Sequence, residues 1–284
     1  MIKTILVLAT GDETDSVSFT AALGIARAFS GHIDVLHARL DPVEVAVSMS
    51  AGSDGGPLIA GVIEQLERDA AAREAKAKRL FDDFCARENV SILEAPATEG
   101  ASAASAQWHV ETGDEARWLT AYGMTADLIV VGRGGKDNVT ARSVLEAALL
   151  ETGRPLLIPG SGTSATFIGG TVAIGWKSTP HAARAASAAM PFLARARDAL
   201  VMSVEEGEPR NDPRRLVRNL SWHGLTAFAV TLTPDERGAA QTLLAAARDK
   251  AQLLVMGGYG HSRLREWIFG GFTQEVLTDA PLRC

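Results

Sequence analysis

Val255-Met256-Gly257-Gly258-Tyr259-Gly260 is followed, after nine further residues, by Gly270-Gly271. The apolar run Leu253 to Met256 leads into the first glycine, which reads as a buried strand emptying into a tight turn. A turn without side chains lets a ligand approach backbone N–H groups closely. Gly270-Gly271 sits just before Phe272-Thr273-Gln274-Glu275-Val276-Leu277, which reads as helix. Helix N-termini present unpaired N–H groups and a partial positive charge, so phosphate suits them. Glycine spacing alone favours the plainer reading, a strand–turn–helix crossing in which the glycines serve packing.

The pattern occurs twice. Ile129-Val130-Val131-Gly132-Arg133-Gly134-Gly135 lines up with Leu254-Val255-Met256-Gly257-Gly258-Tyr259-Gly260. Ile5-Leu6-Val7-Leu8-Ala9-Thr10 lines up with Val172-Ala173-Ile174-Gly175-Trp176-Lys177. Each opening is followed by an alanine-rich helical pattern, Ser16 to Phe29 in the first copy and Pro180 to Leu193 in the second. Two look-alike halves at this distance mean duplication. In the first half, strands are expected near 2–9, 33–38, 106–110 and 127–132, with a fifth at Leu156-Leu157-Ile158. Helices are expected near 15–30, 58–89, 114–123 and 139–152, with Asp114 as an N-cap. Unalternating apolar strands interleaved with helices mean a doubly wound parallel α/β sheet. Pro159 to Gly170 reads as a linker, which gives domains at 1–160 and 168–284.

The halves and their flanks resemble universal stress proteins. Gly257-x2-Gly260-x9-Gly270 matches that family's glycine signature, and Leu254-Val255-Met256, His261 to Arg265, Val276-Leu277 and Ala280-Pro281 resemble its flanks. The resemblance implies two flavodoxin-like (adenine nucleotide alpha hydrolase-like) parallel-sheet domains in tandem, packed as an intramolecular pseudo-dimer. It implies a non-enzymatic stress-response role, with ATP or AMP in the second domain held by Gly257, Gly260, Gly270, Gly271, Thr273 and Arg263. A homodimer is a further partner expected from it. Other readings are an interaction module that has lost nucleotide, and a slow phosphohydrolase.

The chain departs from the family pattern at stated positions. Gly271 stands where binders carry Ser or Thr. The family's Asp at the end of the first strand is Thr10 in one half, with Asp12 two residues late, and Lys177 in the other. Val144-Leu145-Glu146 replaces the first half's third glycine. Leu145 would block backbone approach, and Glu146, read as near a helix start, would repel phosphate.

With 284 residues, a net charge of −6, 46% hydrophobic and 22% charged residues, the composition is that of two modest globular domains. Mild acidity argues against a nucleic-acid surface. No apolar run is long enough to span a membrane. The cytoplasm is the expected location, and Cys85 and Cys284 make no framework or metal cluster. His32, His37, His109, His181 and His223 lack zinc spacing. Neither a G-x-S-x-G elbow nor a P-loop is present, so no catalytic residue is expected.

Overall fold

The structure is a computed structural model that describes residues 1–12, 14–50, 56–96, 104–133, 139–160, 167–205, 211–236 and 238–258. The chain divides into two compact units, with the main change between Leu156 and Leu157.

The first unit runs β1 (Thr4–Leu8), α1 (Thr14–Phe29), β2 (His32–Arg39), α2 (Pro42–Ser50), α3 (Gly56–Glu88), β3 (Ser91–Ile92), β4 (Ser105–Thr112), α4 (Glu115–Gly123), β5 (Leu128–Val130), α5 (Val139–Leu150) and β6 (Leu156–Leu157). Its sheet has the order β3-β4-β2-β1-β5-β6. The β1–β2, β1–β5, β2–β4 and β3–β4 pairs are parallel. Ile5 to Leu8 and Leu128 to Val130 are buried, as strands covered on both faces must be. Phe19 of α1 packs edge-on against Phe81 of α3 at 6.3 Å and tilted against Phe84 at 5.4 Å, so the two helices share a face. Asp114 caps α4, accepting the Arg117 N–H at 2.7 Å, as expected. Helix α2 and the two-residue β3 were not anticipated.

The second unit runs β7 (Thr171–Gly175), α6 (Pro180–Ala188), α7 (Met190–Leu193), β8 (Asp198–Val204), α8 (Arg214–Trp222), β9 (Ala227–Leu232), α9 (Ala239–Lys250) and β10 (Leu253–Met256). All its strand pairs are parallel, in the order β10-β7-β8-β9. Met202, Leu243, Leu244, Ala247 and Leu254 form a core between α9 and the sheet. The helix expected over Pro180 to Leu193 is broken at Ala189. Pro191 has no N–H to continue the ladder, which is reason enough. Phe167, at the end of the expected linker, is buried and packs on Phe192 at 6.2 Å.

Candidate functional site

In each sheet the strand order reverses beside the first strand, and ligands of open α/β sheets bind outside the carboxyl ends at that reversal. In the second unit the reversal lies between β7 and β10, where Val255 pairs with Ile174 and Met256 with Gly175. The two chain exits there are Trp176-Lys177 and Gly257-Gly258. Gly257 faces the first turn of α6. A Cβ on it would lie 2.6 Å from Ala182 N and 2.6 Å from the His181 carbonyl carbon. Thr179 caps that turn, accepting the Ala182 N–H at 3.2 Å, and Pro180 occupies the first turn. Beside it, the Ser178 N–H donates to Asn211 Oδ1 at 3.0 Å, and Lys177 is exposed. Trp176 Nε1 is buried with no hydrogen-bond partner among the described residues. The expected site residues Gly260, Gly270, Gly271, Thr273 and Arg263 lie outside the described residues, as does Gly135.

The first unit repeats the geometry with different contents. A Cβ on Gly132 would lie 2.9 Å from Ser18 Oγ and 3.1 Å from Thr14 Cβ of α1. Both glycines that end the strand at the reversal are thus demanded by the approach of the helix that follows the first strand of the sheet, α1 to Gly132 and α6 to Gly257. The β1–α1 turn is occupied by its own carboxylate. Asp15, 1% exposed, accepts the Thr10 N–H at 2.9 Å, the Thr10 hydroxyl at 3.0 Å and the Gly11 N–H at 2.8 Å. Gly11 has φ +83°, and its Cβ position is 3.1 Å from the Arg73 carbonyl oxygen of α3. Burial pushes the Asp15 and Glu115 carboxyls up. Arg73 lies 3.8 Å from Glu115.

Leu145 is buried inside α5. Glu146 sits well within that helix, 3.7 Å from Arg142, and not near its start as the sequence reading placed it. The helix begins at Val139, so the residues aligned with the third glycine are core and second-turn helix surface.

Two histidine arrangements escaped the sequence reading. His37 is fully buried, donates Nδ1–H to the Ala9 carbonyl at 2.8 Å and stacks on Trp108 at 5.9 Å. Its Nε2 has no partner among the described residues, and burial holds its pKa down. On the other face of the sheet, Asp34 Oδ1 accepts from His109 Nε2 at 2.9 Å and lies 3.6 Å from His32 Nε2. His32 Nδ1 meets Ser105 Oγ at 2.8 Å. Burial pushes Asp34 up, but hydrogen bonding to His32 and His109 outweighs it and holds the carboxyl below the usual range. Ser105 and His109 reach this group because β4 lies beside β2, with His32 opposite Ser105 and Leu36 opposite His109. Among the described residues no three His, Cys, Asp or Glu side chains are grouped as a metal would require, and no helix is long and apolar enough to cross a membrane.

No protein-family model matches the sequence, and no curated protein matches it. Solved structures do. A universal stress protein from Archaeoglobus fulgidus DSM 4304 matches over 99% of this chain and 94% of its own, at 15% identity and a TM-score of 0.66. A functionally unknown protein from Pseudomonas aeruginosa PAO1 matches over 99% and 91%, at 13% identity and a TM-score of 0.53. The chain therefore has the two-domain fold of universal stress proteins.

Proposed function

We propose that this chain is a non-enzymatic stress-response protein of the cytoplasm whose second domain holds a weak adenine-nucleotide site. The observation that carries the proposal is the position of Gly257, which ends β10 at the strand-order reversal and lies against the N-terminal turn of α6. The phosphates of ATP or AMP would be held by Gly257, Gly260, Gly270 and Gly271, with Thr273 and Arg263 as side-chain donors. The domains proposed are 1–160 and 168–284, paired within one chain as a pseudo-dimer. The first would be a degenerate copy, because Asp15 already takes the N–H groups of its β1–α1 turn. A calorimetric titration of the purified protein with ATP, ADP and AMP tests the site. Weak saturable heat from an adenine nucleotide is the expected result; none at any reachable concentration would remove the site. The reading favoured in that case is an interaction module without nucleotide, for which Lys177, exposed where the family carries a carboxylate, already speaks.

A further inference from the structure

Helix α8 turns a cationic face to solvent. Arg214-Arg215-Leu216-Val217-Arg218-Asn219-Leu220-Ser221-Trp222 holds three arginines and no acidic residue, in a chain of net charge −6. A helix turns by about 100° per residue, so Arg214, Arg218, Trp222 and Arg215 share one side of it. All four are exposed, Trp222 at 81%. The apolar residues take the opposite side, where α8 packs on β8 and β9. Leu220 is 1% exposed there, and Leu216 and Val217 are half-buried. Arg214 donates Nε–H to Asp212 Oδ1 at 3.0 Å. Arg215 and Arg218 have no ion pair among the described residues. In the first unit, by contrast, exposed cations are answered from within their own helix. In α3, Arg68 lies 3.0 Å from Glu64, and Lys78 meets both carboxylate oxygens of Asp82. In α5, Arg142 lies 3.7 Å from Glu146.

We propose that this face of α8 docks an acidic protein segment, whose carboxylates take Arg215 and Arg218 and whose apolar side chain covers Trp222. Charge complementarity sets the sign of the partner, and a planar guanidinium matches a carboxylate with two parallel hydrogen bonds. Arg215 and Arg218 stand three residues apart, a spacing of about 5–6 Å between Cβ atoms. Carboxylates one helical turn apart, or two residues apart on a strand, meet that spacing. Trp and Arg are also the residue types that most often carry binding energy in protein contacts. A lipid surface fits less well. A helix that lies in a membrane interface buries an apolar face, and that face of α8 is already against the sheet. Nucleic acid fits less well too, because backbone binding relies on a positive field and on many neutralised phosphates, and the chain is net acidic. A short acidic segment carries few charges into that field. The docking holds whether or not the second domain takes nucleotide.

The probe is a labelled synthetic peptide of alternating glutamate and leucine, titrated with the full chain and followed by anisotropy. Its lysine–leucine counterpart, an oligothymidylate and phosphatidylserine vesicles are the other arms. The glutamate peptide should bind saturably, and more weakly as salt is raised. The part of the tryptophan emission that Trp222→Phe removes should move to shorter wavelength on binding. Arg215→Glu together with Arg218→Glu turns two attractions into repulsions and should weaken the peptide about tenfold or more. Trp222→Ala should weaken it as well. All three side chains are exposed, so circular dichroism should not change. Arg215→Gln together with Arg218→Gln, which only removes the charges, serves if the reversal folds poorly and should weaken the peptide by a smaller factor. No saturable binding of the glutamate peptide, or binding that neither arginine variant alters, overturns the proposal. Equal binding of the lysine peptide overturns it too, since the contact is then apolar only. Tighter binding of the oligothymidylate or the vesicles overturns the class of partner.

Discussion

The Cβ position of Gly257 lies 2.6 Å from the backbone nitrogen of Ala182. No side chain can swing away to relieve that contact, because both sides are main chain. Gly257→Ala must push β10 and α6 apart, and overpacking of this kind costs roughly 1–3 kcal/mol. Gly132→Ala meets the Ser18 hydroxyl at 2.9 Å and Thr14 side-chain atoms. Those can partly yield, so its cost should be smaller. Urea unfolding of the two variants gives the order; an equal or reversed order would show that the helices adjust more freely than their packing implies.

Nucleotide affinity should respond to the two departures from the family pattern. A hydrogen bond to a charged partner is worth roughly 1.5–3 kcal/mol. Restoring the phosphate donor with Gly271→Ser and the adenine-side acceptor with Lys177→Asp should tighten ATP by about one to two decades or more. Calorimetry of the folded double variant measures this. Tight binding by the unaltered protein, or no gain in the double variant, would contradict it.

His37 should give the first domain a pH dependence. Burial lowers its folded pKa below the ordinary 6.5. In the window between those values the unfolded chain binds more protons, so stability falls as pH drops through it and is flat above 6.5. Asp15 and Glu115 are raised instead. They act in the opposite direction, since the folded state takes up their protons first as pH falls. Denaturant midpoints measured just below neutrality should fall in the wild type. His37→Gln keeps a donor for Ala9 and should flatten the slope; an unchanged slope would assign it to another group.

Asp15→Ala leaves the N–H groups of Thr10 and Gly11 without their acceptor beneath the turn. An unsatisfied buried donor costs roughly 1–3 kcal/mol, so the first domain should lose at least that much. Asp15→Asn, which keeps one acceptor oxygen, should lose less. Hydrogen exchange at Thr10 and Gly11 reports the turn itself, and protection that survives Asp15→Ala would show that the carboxylate is not what holds it.

Much of the architecture was legible in the chain. The apolar runs at Ile5 to Leu8, Leu128 to Val130 and Leu253 to Met256 are strands, because a parallel strand covered on both faces has to be apolar throughout. Asp114 was legible as a cap because capping is a contact within four residues. The duplication was legible because strand and glycine recur together. Pro191 was also in plain view, and the helix break it causes is a local consequence of a missing N–H.

What the chain could not disclose is whatever depends on which strand lies beside which. His32, Asp34, Ser105 and His109 converge only through the β2–β4 register. Asp15 is a local exception: it bonds Thr10 and Gly11, five and four residues away, where the sequence reading singles out Asp12. Leu145 looked like an obstruction in a binding loop, and the fold made it core. The spacing of the strand-ending glycines favoured packing over ligand contact without naming what they pack against. The approach of α1 to Gly132 and of α6 to Gly257 shows that packing requires a glycine at both positions. Local sequence fixes torsion, capping and burial tendency over a few residues. Proximity between distant residues is set by sheet order and helix packing, and these exist only once the chain has folded.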